Sequence, residues 1–358
     1  MPHAIDFGPD HVVKHFGPGE RDGYERELRA LTLLAEHAPG LAPRPLPDVA
    51  RPAHAPRSAA ARTAAPSPDG PGTTSSGRCP PPLRMTRVPG APLRGTRVDG
   101  RRTAALAAAV GTLHDAVPPE ALARVPLRPD GQDFVRARLR AWSRNGPGGD
   151  DPLVAEAARA GLAWLAHADL APPPHPVFGP GDGNLANYLW DGSRVRVVDF
   201  ESSGRSDRAY ELAEITEHVS GWTSDAPGFA PSSSGGPARG RIGTGPPGAG
   251  STAVTPTGFA SKGVESTERG STGIGSTGVD GAGIEVAGAH GPGTEFDAEA
   301  FLGHFDLTDA ERARLDDCRR LLALAWVFML SYDDPARPRN PPGTARHQAS
   351  RLLARLNA

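Results

Sequence analysis

Three oxygen-bearing side chains with the makings of a reaction centre stand in one short block of the chain. The centre of that block reads GPGDGNLANYLWDGSRVRVVDFE, with Asp182 and Asn187 in a D-x-x-x-x-N spacing and Asp199 at the end of the next apolar run. Asp191-Gly192 separates two alternating runs, Tyr188–Trp190 and Arg194–Val198, and Asp-Gly between such runs signals a hairpin. Folding at that turn brings Asn187 opposite a position a few residues from Asp199. A carboxylate, an amide oxygen and a second carboxylate then meet at one end of a hairpin. Phosphoryl transfer from ATP needs such a set. One carboxylate orients an acceptor hydroxyl and takes its proton, while the amide oxygen and the other carboxylate hold Mg²⁺ through hard oxygen atoms. Asp, Asn and Gly are also ordinary turn residues, so the spacing gains weight only from the hairpin and the strand that follow it.

Lys14 is the next residue with chemical meaning. The chain has two lysines, Lys14 and Lys262, and its other fixed cations are arginines. A compact ammonium meets phosphate oxygens as a point charge, a task the planar guanidinium does differently. Lys14 lies in V-V-K, a β-rich segment followed by a helical one, where a kinase-type lysine would pair with nucleotide phosphates and a helix glutamate. Glu27 is the preferred partner, ahead of Glu25. The alternative is a solvated lysine on a strand edge.

The elements that must position these groups can be read from periodicity. His11–Phe16 is a short strand ended by Gly-Pro-Gly. Arg21–His37 carries Leu28, Leu31 and Leu34 at helical spacing, and Leu83–Val88 reads as another strand stopped by Pro89-Gly90. Helices are expected over 101–116, 132–144 and 152–168. Thr308 to Glu311 forms a capping box that opens a helix running through Leu321–Leu330, and Thr344–Leu356 is a last amphipathic helix. This order predicts an α+β chain of two lobes: a small mixed nucleotide-binding lobe over 1–90 and a mainly helical catalytic lobe over 91–358.

Composition bounds the class. The 358 residues carry 39 basic and 41 acidic side chains, a formal charge of −2, which argues against bulk nucleic-acid binding. The apolar run Leu321–Leu330 is too short to span a membrane, and MPHAIDFGPD has no secretory pattern. A cytoplasmic protein with no membrane partner is expected. Two cysteines, Cys79 and Cys318, supply neither a disulfide framework nor a zinc site. Half of the 44 glycines and 13 of the 39 prolines fall in stretches 51–80 and 223–294. Both stretches are too poor in bulky apolar residues to offset ordering entropy of roughly 1–2 kcal/mol per residue, so both read as disordered insertions.

Taken together, VVKHF, YERELRALTLLAEH, LRMTRVPGAPLRG, AALAAAVGTLHDAVP, FGPGDGNLANYLW and VRVVDFESSGRSDRAYELAEI resemble the aminoglycoside phosphotransferase (choline kinase-like) family. The resemblance spans nearly all of the chain outside the two insertions and implies a bilobal protein-kinase-like fold using ATP and Mg²⁺. It implies Asp182 as catalytic base, Asn187 and Asp199 as metal ligands, and Lys14 with Glu27 on the nucleotide phosphates. Leu83–Val88, with Met85 and Arg87, would be the hinge against adenine. Asp207 and Glu211 match a family motif whose role here is expected to be capping and bracing. Three departures stand out. Pro180 replaces the histidine that braces the family's loop, Glu201 replaces the glycine of D-F-G, and the 13 residues before Lys14 leave room for one short strand.

Two readings follow: an active small-molecule phosphotransferase, or a nucleotide-binding pseudokinase or scaffold. Retention of Asp182, Asn187 and Asp199 favours the first. The acceptor is not legible. Glu201, Glu214, Glu217, Asp333 and Asp334 would suit a cationic, aminoglycoside-like acceptor if they lined the cleft, or are solvated helix faces.

Overall fold

β-branched and aromatic residues at the start of the chain form strands, and the first polar-apolar period of 3.6 forms a helix. The computed structural model describes residues 3–47, 79–170, 175–222, 296–334 and 340–358. Strands β1 (Ala4–Phe7) and β2 (His11–His15) make an antiparallel hairpin, followed by α1 (Arg21–His37). Strand β3 (Leu83–Thr86) pairs with β2, giving the order β1-β2-β3. Ile5 and Leu83 both stand opposite Lys14, and Phe7 and Met85 both stand opposite Val12. Opposed residues share a face and alternate ones return to it. Ile5, Phe7, Val12, Lys14, Leu83 and Met85 therefore form one face of the sheet. Helix α1 buries Glu27, Ala30, Leu31 and Leu34.

Strand β4 (Ala91–Pro92) is part of a second sheet, and helices α2 (Gly100–Ala116), α3 (Pro119–Leu122), α4 (Gln132–Trp142) and α5 (Pro152–His167) follow. Their starts are written locally. Asp99 caps α2, and Asp151 caps α5 ahead of Pro152 at its first position. Strand β5 (Pro176–Gly179) leads into the loop with Asp182 and a 3₁₀ turn at Leu185–Asn187. The expected hairpin is β6 (Tyr188–Trp190) with β7 (Val195–Val197), and β4 pairs with β6 on the other side. Strand β8 (Gly204–Asp207) returns to pair with β5. Helix α6 (Arg208–Glu217) then begins under the cap of Asp207.

Helices α7 (Ala298–Leu302), α8 (Asp309–Ser331) and α9 (Thr344–Asn357) complete the helical part. The capping box at Thr308 and Glu311 is present, and the run Leu321–Phe328 is buried on every side. It is the core helix of this part, packed against α5, α6 and α9. No described helix is long and apolar enough to cross a membrane. The insertion 223–294 and all of 51–80 except Cys79 and Pro80 lie outside the described residues. The two parts meet where the Val197 amide donates to the Leu41 carbonyl, 2.9 Å away, tying the loop after α1 to the hairpin.

Candidate active site

The hairpin brings the three oxygen-bearing residues together. The Val198 amide donates to the Asn187 carbonyl at 2.9 Å, so Asn187 sits beside the residue preceding Asp199. Asp182 Oδ1 accepts the Asn184 amide at 2.9 Å, and Oδ2 accepts the side-chain amide of Asn187 at 3.1 Å. With its nitrogen directed at Asp182, Asn187 offers its oxygen to a cation. Asp199 has φ 68°, the one positive φ outside glycine among the described residues. Such a conformation costs on the order of 1–3 kcal/mol and persists where surrounding structure enforces it. Here it aims the carboxylate at Lys14.

Lys14 Nζ lies 2.7 Å from Glu27 Oε2, 2.5 Å from Asp199 Oδ1 and 3.0 Å from Glu201 Oε2. Burial works against its charge, but the carboxylates of Asp199, Glu27 and Glu201 outweigh it and hold the ammonium well above its ordinary pKa. Burial, reinforced by Asp199 and Glu201, raises Glu27 in spite of Lys14. Glu201 is half-buried, which works against its charge, yet His3 and Lys14 hold it down at about 2. Oxygens of Glu27, Asp199 and Glu201 lie within 4.8 Å of one another, hard donors of the type a divalent cation takes.

Asp182 is the opposite case. Burial first, then the carboxylates of Glu214 and Asp199, push it up to about 8, against the hydrogen bonds from Asn184 and Asn187. Its loop is clamped to α6. Gly181 has φ +85°, a conformation that favours glycine, and a Cβ there would meet the Ser202 carbonyl. A Cβ on Gly183 would lie 2.3 Å from the Glu214 carbonyl, so loop and helix backbones touch. Arg128 Nη2 donates to the Gly181 carbonyl at 2.9 Å, while its Nη1 holds Glu211 at 2.6 Å and Glu214 at 2.5 Å. Asp207 caps α6 through the Ala209 amide and also accepts Arg314 Nε at 2.5 Å. Asp207 and Glu211 thus cap and brace.

Met85 is buried on the Lys14 face, two strands' width from β1. Arg87 lies over the Phe7 ring at 5.9 Å, and its Nη1 is 3.4 Å from the Gly8 carbonyl. Phe7 and Ile5, which sequence reasoning passed over, are 71 % and 40 % exposed on the same face. The backbone of β3 is already covered on its outer edge: Leu46 donates to the Arg84 carbonyl and Thr86 to the Arg44 carbonyl.

Glu201, Glu214 and Glu217, read from the sequence either as a lining for a cationic acceptor or as solvated helix faces, are engaged by cations inside the fold. Glu214 is buried against Arg128, and Glu217 is fully buried between Arg319 Nε at 2.9 Å and Arg355 at 2.6 Å. Glu201 belongs to the Lys14 cluster. Glu214 shares Arg128 with Glu211, and Glu201 shares Lys14 with Glu27 and Asp199. Asp333 is bonded to Asn340. Arg128 and His218, the latter 3.6 Å from Asp182 through Nε2, were not legible, since neither belongs to a motif near the loop it supports.

Comparison with known proteins gives these features a context. A choline/ethanolamine kinase family protein from Mesorhizobium loti aligns over 100% of this chain and 86% of its own, with 14% identity and a TM-score of 0.51. The aminoglycoside phosphotransferase APH(4)-Ia aligns over 100% and 93% at 15% identity and a TM-score of 0.46. A spectinomycin phosphotransferase bound to ADP and its drug aligns over 99% and 85% at 10% identity and 0.45. No curated protein sequence matches the chain. The architecture is the α+β, bilobal protein-kinase-like one, with a small mixed lobe and a helical lobe. The sequence model of the phosphotransferase enzyme family, APH, covers residues 6–231, and the chain belongs to that family.

Proposed function

We propose that the protein transfers the γ-phosphoryl group of ATP, with Mg²⁺, to a hydroxyl of a small molecule. The observation that carries this reading is the convergence of Lys14, Glu27, Asn187, Asp199 and Asp182 at one end of the β6–β7 hairpin. Lys14 would bind the nucleotide phosphates, steadied by Glu27. The exposed faces of Ile5 and Phe7, with Val12 and Met85, would receive the base, and Arg87 would close the rim. Asn187 Oδ1 and Asp199, joined by Glu201, would hold Mg²⁺, which supplies charge neutralisation on the phosphates. Asp182 would orient the acceptor hydroxyl and take its proton. A carboxyl raised to about 8 is a stronger base once ionised than one at its ordinary value. With Glu201, Glu214 and Glu217 engaged by cations inside the fold, these three supply no free charge to attract a cationic, aminoglycoside-like acceptor.

A binding-only reading, a nucleotide-binding pseudokinase or scaffold, is favoured by one feature. Lys14 is already engaged by three carboxylates, which a nucleotide must outcompete. ADP release measured over a panel of hydroxyl-bearing small molecules separates the two. The transferase reading expects an acceptor-stimulated rate that falls about 10²–10⁴-fold in Asp182→Asn, with ATP affinity within a few-fold of wild type. ATP binding with a rate indifferent to Asp182→Asn would leave the binding-only reading standing.

A further inference from the structure

His218 lies just beyond the C-terminus of α6, 36 positions after the carboxylate it approaches. Its ring is buried and packs edge-on against Trp326, with ring centroids 4.9 Å apart. Nδ1 accepts the Ser220 amide at 3.1 Å and lies 2.8 Å from Ser220 Oγ. An Nδ1 that accepts a backbone amide carries no proton, so Ser220 Oγ donates to it and the ring proton sits on Nε2. Asp182 Oδ1 lies 3.6 Å from that Nε2. Ser220 Oγ in turn accepts the Leu185 amide at 2.8 Å, inside the same loop. One short segment therefore holds the Asp182 loop through Leu185 and places a ring nitrogen close to Asp182 itself.

We infer that His218 is a positioning residue for Asp182, held by Ser220 as the Nε2–H tautomer and supplying the carboxylate's third donor alongside Asn184 and Asn187. This rests on the proposed role of Asp182. Three donors on one carboxylate fix its rotation and leave the remaining lone pair for the acceptor hydroxyl. The contact of 3.6 Å is longer than a hydrogen bond, and catalytic hydrogen bonds often close only in the loaded enzyme. Burial and the nearby Arg94 push His218 down to about 3, which keeps the ring neutral and its tautomer single at ordinary pH. The residue types Ser, His and Asp in a row also build nucleophiles, but Ser220 is 1 % exposed and its oxygen is engaged by Leu185, so it attacks nothing. Pro180 occupies the turn before Asp182 and has no side-chain donor, which leaves the bracing to the far side of the loop.

The test has two parts that fail separately. In the first, long-range ¹H–¹⁵N correlation spectra of histidine-labelled full-length protein report the His218 tautomer without any acceptor. The expected result is a single Nε2–H form at neutral pH whose proton resonance moves in Asp182→Asn, and a mixed tautomer in Ser220→Ala. An Nδ1–H form, or a resonance indifferent to Asp182→Asn, overturns the inference. In the second, Mg²⁺–ATP turnover is measured with water or an identified acceptor. His218→Leu should lower kcat roughly 10-fold with KM for ATP within two-fold, because the lost donor acts on the base and not on the nucleotide. His218→Gln, which keeps a donor at the Nε2 position, should recover most of the loss. Equal loss in both variants, or a loss confined to KM, overturns it. Wild-type protein without turnover would contradict the proposed activity of Asp182 while the spectra still decide the contact.

Discussion

Asp182 sits among groups that pull it in opposite directions, and this sets how the site should respond to pH. Burial, Glu214 and Asp199 raise it to about 8, while its amide donors lower it. A base must be ionised to act, so the acidic limb of the rate profile follows this carboxyl. Removing the charge of Glu214 in Glu214→Gln removes one raising influence and leaves Arg128 more strongly positive toward the loop. The acidic limb of kcat/KM should then move to lower pH. A limb that stays in place or moves upward in a pH–rate series would show that Glu214 does not act on the base.

At the scale of elements, the contact between the Asp182 loop and α6 is made by backbone on backbone. Gly183→Ala would drive a methyl into the Glu214 carbonyl, which no side-chain rotation can relieve. Overpacking of this kind costs about 1–3 kcal/mol, and a displacement near 1 Å can cost about 10²-fold in rate. Turnover should therefore collapse while calorimetric affinity for metal-free ATP holds within a few-fold, since Lys14 and Glu27 lie on other segments. A variant with wild-type turnover would refute the tight docking. The elements were legible where local chemistry dictates them. Asp191-Gly192 marked the hairpin, Thr308 and Glu311 marked the start of α8, and leucine spacing marked α1. Strands β5 and β8 escaped because PVFG is a four-residue run bounded by Pro and Gly, GRSD carries little β character, and the two exist through each other. The D-x-x-x-x-N spacing pointed to the convergence of Asp182, Asn187 and Asp199, but the burial of Glu214 and Glu217 did not follow from any local pattern. Their arginines, Arg128 and Arg319, lie 86 and 102 residues away in sequence.

At the scale of the whole molecule, the ends of the long low-complexity segment meet. The Phe296 amide donates to the Gly221 carbonyl at 2.9 Å, so the chain before and after the segment is joined without it. Replacing 223–294 with a short glycine-serine linker should shift the melting temperature by no more than about 3 °C, roughly what a loss of 1 kcal/mol produces in a chain of this size. A fall of many degrees by calorimetric melting would place that segment in the fold.

The central claim is that two distant parts of the chain, the sheet with Lys14 and the hairpin with Asn187 and Asp199, form one nucleotide–metal site. Isothermal titration of ATP with and without Mg²⁺ tests it most directly. Asp199 approaches Lys14 at 2.5 Å, and a divalent cation would separate their roles, taking the carboxylate and leaving the ammonium to phosphate. The account predicts that Mg²⁺ tightens ATP binding in the wild type and that Asp199→Ala abolishes this gain. Equal affinity with and without the metal, unchanged in Asp199→Ala, would contradict it.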